Sequence, residues 1–466
     1  MPYEGRKMHF FAPRTRWIHF FLLLICSALI RASIGHGAYV PQSATRLIAD
    51  IDTRESAEPD RIPLILIHGF TGTDGATFEA ITGASDSEKE YFKEFLEYFY
   101  TTETLNDTYK LYRFHYLSNE VDVSTIGADL RIWIDEAITS TSDQMVDTEL
   151  VLMGHSMGGL VSRAYMEEQE HLMGSFADRK GGERVRKLIT LGTPHHGSQA
   201  ANDTARDAGE GWNDMLEIVD LIFWQGIGLE DPNRSDLRWD NYNNMQGLSP
   251  GYEGEKNTWL SALNQNSVYS EKIIAYAGGV EGLVSGQISD RYSLKLLWEQ
   301  LRNSTPTQFN GLYSVCTSSG ILPGKNNWIY PFKGPYDSDR PFTFRMKLCF
   351  CGVLLEKMYD KNNDGLVPTD SADYIDGGVG KTRWFEGFDH WDLKSDRIGQ
   401  PAELMLRLQE DLEIPKPDLN DVITVLKTLA GISVSTDNLM DLDKNENQRL
   451  DMADALMLLQ ILSGIR

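Results

Sequence analysis

Five residues constrain this chain more than any others. Gly154-His155-Ser156-Met157-Gly158 follows the apolar run Glu149-Leu150-Val151-Leu152-Met153 and precedes Leu160 to Glu168, which reads as a helix. A continuous apolar run of this length is what a strand buried on both faces requires. A strand that turns straight into a helix leaves no room for side chains at 154 and 158, which would collide with neighbouring strands, so glycine stands at both. Ser156 is then held in a strained conformation that projects its hydroxyl, and the N-terminus of the helix beneath it stabilises developing negative charge. The pattern points to a nucleophilic serine.

Other segments repeat the arrangement of strand followed by glycine-bearing loop. Ile62 to Ile67 ends in His68-Gly69-Phe70-Thr71-Gly72-Thr73, and Val185 to Leu191 ends in Gly192-Thr193-Pro194-His195-His196-Gly197-Ser198. Lys272 to Ala277 closes in Gly278-Gly279. Such strands alternating with helical segments predict an α/β fold with a mainly parallel sheet and its chemistry at the strand C-termini.

A serine is a poor nucleophile alone, and behind this kind of turn the acid and then the histidine follow it along the chain. His390 is the only histidine beyond His196, so it is the candidate base. His195 and His196 precede any later strand that could supply an acid, and are expected to pack their loop and line the substrate pocket. For the acid, Asp364 in Asn362-Asn363-Asp364-Gly365 lies in a turn that can reach the imidazole, with Asp360 and Asp370 as substitutes. Asp360, Asn362 and Asp364 also read as the start of a calcium loop, but Ser371 stands where its final carboxylate belongs. The backbone N–H groups of Phe70 and Met157 are the expected oxyanion donors.

Charge narrows the partners. Forty-four Lys and Arg against 68 Asp and Glu leave the chain at −24, which excludes a general nucleic-acid binder because polyanions are repelled. Residues 1–35 run the other way, with Arg6, Lys7, Arg14, Arg16 and Arg31 against Glu4. That basic head precedes the apolar run Trp17 to Ile30 and then small residues, the order of an export signal; an uncleaved anchor is the alternative. Export favours one disulfide, between Cys316 and either Cys349 or Cys351, with one buried thiol left over.

A linker spans 36–60, and the α/β domain 61–412 carries two insertions, 199–270 and 283–355. In the first, Trp212, Met215, Leu216, Val219, Ile222 and Phe223 fall on one helical arc, which suits either a core helix or a lid. The segment 413–466 is a separate unit with an internal repeat. Asp421 to Gly431 aligns at an offset of 33 with Asp454 to Gly464, each an amphipathic helix stopped at glycine. Just before the second helix, Asp443, Asn445, Asn447, Arg449, Asp451 and Asp454 follow the spacing of a calcium-binding loop, Arg449 through its backbone carbonyl. Gln448 takes the place of that loop's glycine. The equivalent first loop, 410–421, has Leu412 and Ile414 at ligand positions.

Taken together, His68-Gly69-Phe70, Gly154 to Gly159, Gly192 to Ser198, Asn363 to Val367 and His390 resemble, in order and spacing, the secreted bacterial triacylglycerol lipases of the α/β-hydrolase fold. The resemblance implies a Ser156–Asp364–His390 triad acting on lipid esters, a lid after the Gly-Thr-Pro-His segment, and a structural calcium with Asp392 as one ligand. The tail resembles a dockerin module, which implies calcium and a cohesin-like or cell-surface partner. The expected activity is carboxylester hydrolysis outside the cell. Acyl transfer or thioester cleavage by the same triad is an alternative, as is a catalytically silent surface-attachment protein.

Overall fold

The computed structural model describes residues 46–49, 61–70, 91–116, 118, 121–135, 149–170, 176–202, 219, 224, 231–240, 257–279, 351–352, 354–356, 358–359, 361–386, 388–394, 403–413, 419–432, 442 and 450–462. The export segment, Asp360, Cys316 and Cys349 lie outside these, as do Asp443, Asn445, Asn447 and Arg449. Cys351 is described, and is buried. The chain divides into two compact units, residues 1–96 with 108–399, and residues 97–107 with 400–466.

The first unit is built on one seven-stranded sheet in the order β1-β3-β2-β4-β5-β6-β7. Its strands are β1 Arg46–Ala49, β2 Ile62–Ile67, β3 Tyr109–His115, β4 Leu150–His155, β5 Val185–Leu191, β6 Ile273–Gly279 and β7 Lys381–Glu386. β2 to β7 run parallel, and β1 pairs antiparallel with β3 at one edge. This is an α/β fold whose six-stranded parallel sheet is consistent with an α/β-hydrolase. Every residue of the central strand β4 is buried, which is why it reads as an unbroken apolar run. The outermost strand β7 is different: Lys381, Thr382, Trp384 and Glu386 are exposed, and charges of this kind blunt an edge.

Helix Val123–Trp133 begins where Asp122 accepts the Thr125 N–H at 2.8 Å, a side-chain cap. Its Ile126 and Leu130 share one core with Leu160, Val161 and Ala164 of helix Met157–Glu168 and with Ile65 and Leu152 of the sheet. At the start of that helix Asp236 accepts the Val123 N–H at 2.8 Å. Burial, with the Asp122 and Glu168 carboxylates nearby, raises its pKa from 3.8 to about 7. A raised folded-state pKa contributes stability that is present in full below pH 3.8 and is lost as pH rises through about 7. Asp236→Asn keeps an oxygen for Val123 and removes the charge. It is expected to stabilise the protein by about 2 kcal/mol at pH 8 and hardly at all at pH 4, as thermal midpoints at the two pH values would show. Equal midpoint shifts at both would refute it.

In the second unit, helices Leu419–Leu429 and Met452–Leu462 stand at the 33-residue offset read from the sequence. Val422 and Val425 of one pack on Ala455 and Leu458 of the other, which are their repeat equivalents, while Ile423, Leu426, Leu456 and Leu459 stay exposed. Gly431 ends the first helix at φ 72°, with its own N–H on the Thr428 carbonyl and the Ile432 N–H on the Lys427 carbonyl. That paired closure needs the left-handed residue that glycine supplies most easily. Asp451 accepts the Ala453 N–H at 2.7 Å and Asp454 accepts the Asp451 N–H at 2.8 Å, a reciprocal cap on the second helix.

Candidate active site

The site is assembled where β4, β5 and β6 end. Ser156 sits between β4 and helix Met157–Glu168 at φ 54°, ψ −127°, a region L-residues avoid and hold only when their surroundings over-determine it. Its N–H is tied to the Leu191 carbonyl of β5 at 2.8 Å. A β-carbon at Gly158 would stand 2.2 Å from the Ile67 carbonyl oxygen of β2, so that glycine is required by a neighbouring strand as expected. Gly154 has another reason. Its β-carbon would meet the backbone of Gly158 and Gly159 within 2.6 Å, which is the helix start and not a strand.

Asp364 and His390 meet across these strand ends. His390 Nδ1 donates to Asp364 Oδ2 at 2.8 Å, both residues being buried. The His390 N–H also donates to the Asp364 carbonyl at 2.8 Å, which fixes backbone to backbone. The other carboxylate oxygen, Oδ1, accepts the N–H groups of Leu366 at 3.0 Å and Val367 at 2.7 Å. Asn363 holds the turn by accepting the Gly365 N–H at 2.9 Å. Gly192, at φ 57°, lets the pair approach β5: a β-carbon there would lie 3.1 Å from both Asp364 Oδ2 and His390 Nδ1. Asp370 is instead paired with Lys361.

The loop after β2 crosses directly over the serine. A β-carbon at Gly69 would stand 2.7 Å from Ser156 Cβ and 2.8 Å from Tyr91 Oη. His68 anchors this loop from one side, donating from Nδ1 to the Gly69 carbonyl at 2.8 Å and accepting the Tyr116 N–H at Nε2. Burial lowers its pKa to about 4, so it is neutral at pH 7 and this tautomer persists. Phe70 is half-buried, its ring centre 5.0 Å from that of Trp224. Met157 is fully buried at the first helical position.

The remaining expected residues are placed as follows. Of the apolar arc, Val219 is described and fully buried; Trp212, Met215, Leu216, Ile222 and Phe223 lie outside the described residues. His195 and His196 do pack their loop, but they do not line a pocket, because both are completely buried. His195 Nδ1 faces Arg163 at 3.4 Å and Nε2 faces Thr190 at 3.1 Å, while His196 donates to Asp240 at 2.7 Å. Asp392 accepts the Asp389 N–H at 3.2 Å, and among the described residues no group of three or more His, Cys, Asp or Glu is arranged to hold a metal ion.

Three residues at this centre had drawn no attention in the sequence. Tyr91 Oη lies 2.8 Å from the Gly69 N and 2.6 Å from His155 Nδ1, and His155 Nε2 lies 2.8 Å from the His390 carbonyl. The buried Lys394 donates to the Tyr91 carbonyl at 2.7 Å, and its ammonium rests 3.4 Å from the Trp391 ring centre. His155 was at least visible as the variable position beside the serine. No local pattern marks Tyr91, because its partners come from three distant segments.

The strained Ser156 and the buried Asp364–His390 pair both lie at the ends of the parallel strands. Residues 58–210 match the PGAP1-like alpha/beta domain family. The mature form of the Bacillus licheniformis lipase BlEst2 aligns over 78% of this chain and 97% of its own at 18% identity and TM-score 0.40. Staphylococcus hyicus lipase aligns over 78% and 96% at 14% identity and TM-score 0.35, and EstA from Clostridium botulinum over 78% and 90% at 13% and 0.32. No curated protein matches the chain. Residues 58–210 are thus similar to an α/β domain family, and the likeness to these lipases and this esterase is at low identity.

Proposed function

We propose that this protein is an exported serine carboxylester hydrolase that cleaves acylglycerol-type lipid esters. The observation that carries the reading is the buried 2.8 Å contact between Asp364 Oδ2 and His390 Nδ1, which packs on Gly192, next to the Leu191 carbonyl that holds the strained Ser156. With Nδ1 committed to Asp364, Nε2 is the nitrogen left for proton transfer. Ser156 Oγ attacks the ester carbonyl carbon while His390 Nε2 takes the hydroxyl proton. The resulting oxyanion is held by the N–H groups of Phe70 and Met157, donors that need not move as charge develops. Collapse of the tetrahedral intermediate expels the alcohol, which leaves with the proton from His390. Water, deprotonated by the same nitrogen, then attacks the acyl-enzyme and frees the acid and Ser156. The aromatic pair Phe70 and Trp224 beside the oxyanion loop supports an apolar acyl group.

The test is to treat the protein with a fluorophosphonate, map the label, and measure hydrolysis of short- and long-chain p-nitrophenyl esters with and without calcium. Labelling at Ser156 with preference for long chains is expected. Labelling with short chains alone would leave an esterase, and no labelling would favour the silent attachment protein. A product ester in place of free acid, on adding an alcohol, would indicate acyl transfer. The loop 443–454 is proposed to bind calcium and its module a cohesin-like or cell-surface partner; a profile indifferent to calcium would separate that ion from catalysis. N-terminal sequencing of protein recovered outside the cell tests export and cleavage near residue 35.

A further inference from the structure

We infer that Tyr91 and His155 form one positioning element, which sets the oxyanion loop and the base His390 from a single buried hydroxyl. This rests on the hydrolase reading above and deepens it. The Gly69 N–H can only donate, so Tyr91 Oη accepts there at 2.8 Å. The His390 carbonyl can only accept, so His155 must carry its proton on Nε2, 2.8 Å away. His155 Nδ1 is then a bare acceptor, and the Tyr91 hydroxyl proton points to it across 2.6 Å. Every group has one role, and the chain has one direction. It ends at the His390 carbonyl, and the N–H of the same residue separately donates to the Asp364 carbonyl at 2.8 Å.

The surroundings hold this pattern. Burial first, and then the nearby His390 and Lys394, hold the pKa of His155 well below its ordinary value. Tyr91 is itself pinned to the His390 loop, since Lys394 donates to its carbonyl at 2.7 Å and lies 4.4 Å from its ring centre. Gly69 and His155 are themselves buried, so removing the hydroxyl takes a partner from two buried groups. The residue after Gly69 carries the oxyanion donor, and the residue before Ser156 is His155. The element therefore joins the electrophilic side of the site to its basic side. Neither Tyr91 nor His155 touches the reacting atoms, so both act by position.

Tyr91→Phe and His155→Ala are the tests, with kcat expressed per Ser156 titrated by fluorophosphonate so that loss of folded protein does not count. Each is expected to lower per-site kcat by about 100-fold with KM changed less than about twofold, the mark of a misplaced catalytic group. His155→Gln restores a donor to the His390 carbonyl and is expected to recover about tenfold over His155→Ala. Per-site kcat within about twofold of wild type in both Tyr91→Phe and His155→Ala would overturn the inference while leaving the hydrolase intact. A wild type that neither labels at Ser156 nor hydrolyses any ester would overturn the hydrolase reading, and this inference with it.

Discussion

Ser156→Ala is expected to lower kcat for p-nitrophenyl ester hydrolysis by about 10⁶-fold, and adding Asp364→Asn to it is expected to cost nothing more. In the proposed mechanism the serine oxygen forms the bond to the acyl carbon, so without it the base would have nothing to activate and the acid nothing to orient. Groups that act as a unit lose their effect together. The substitution is conformationally mild, because alanine meets the same backbone restriction as serine at φ 54° and the Ser156 N–H to Leu191 bond is unchanged. Thermal midpoints should therefore match while activity vanishes. Activity within about tenfold of wild type would remove Ser156 from the mechanism.

Asp364→Asn is expected to lower kcat by about 10⁴-fold at neutral pH with the fold intact. The reason is a proton count. Asp364 uses Oδ1 for the Leu366 and Val367 amides and Oδ2 for His390. Asparagine keeps an oxygen for the two amides and puts an NH₂ group opposite His390 Nδ1. That group can only donate, so the imidazole must accept at Nδ1 and carry its proton on Nε2, where the serine proton should go. The base is present but filled. Asp370→Asn serves as the comparison, since Asp370 pairs with Lys361 and not with His390. Equal losses in the two variants would show that the effect is not specific to the Asp364 contact.

Much of the scaffold was legible because its strands are buried on both faces. β2 and β5 begin and end at the residues read from the sequence, and β4 and β6 differ by two residues or fewer. β3 was missed. Its Tyr-Lys-Leu-Tyr-Arg-Phe-His interrupts the apolar residues with basic ones and so offers no continuous apolar run, yet Arg113 and His115 are buried and Lys110 lies 5.6 Å from the Tyr112 ring centre. Polar identity hid its depth. His195 and His196 were misplaced in the same sense. Their loop looked like a pocket wall, but both are completely buried, His195 between Arg163 and Thr190 and His196 with Nδ1 on Asp240.

The sequence by itself determined the local parts of this protein: the strand, strained turn and helix around Ser156, the chain order that singles out Asp364 and His390, and the paired helices of the tail. Each of these rests on neighbours a few residues apart or on chain order, and steric rules of short range decide them. Only the tertiary structure decided that Tyr91, 22 residues beyond Gly69 and 64 before His155, places its hydroxyl between them, and that His155 reaches a carbonyl 235 residues away. A buried hydrogen bond requires its two atoms to lie within about 3 Å of each other, and only the folded chain can bring such distant residues that close.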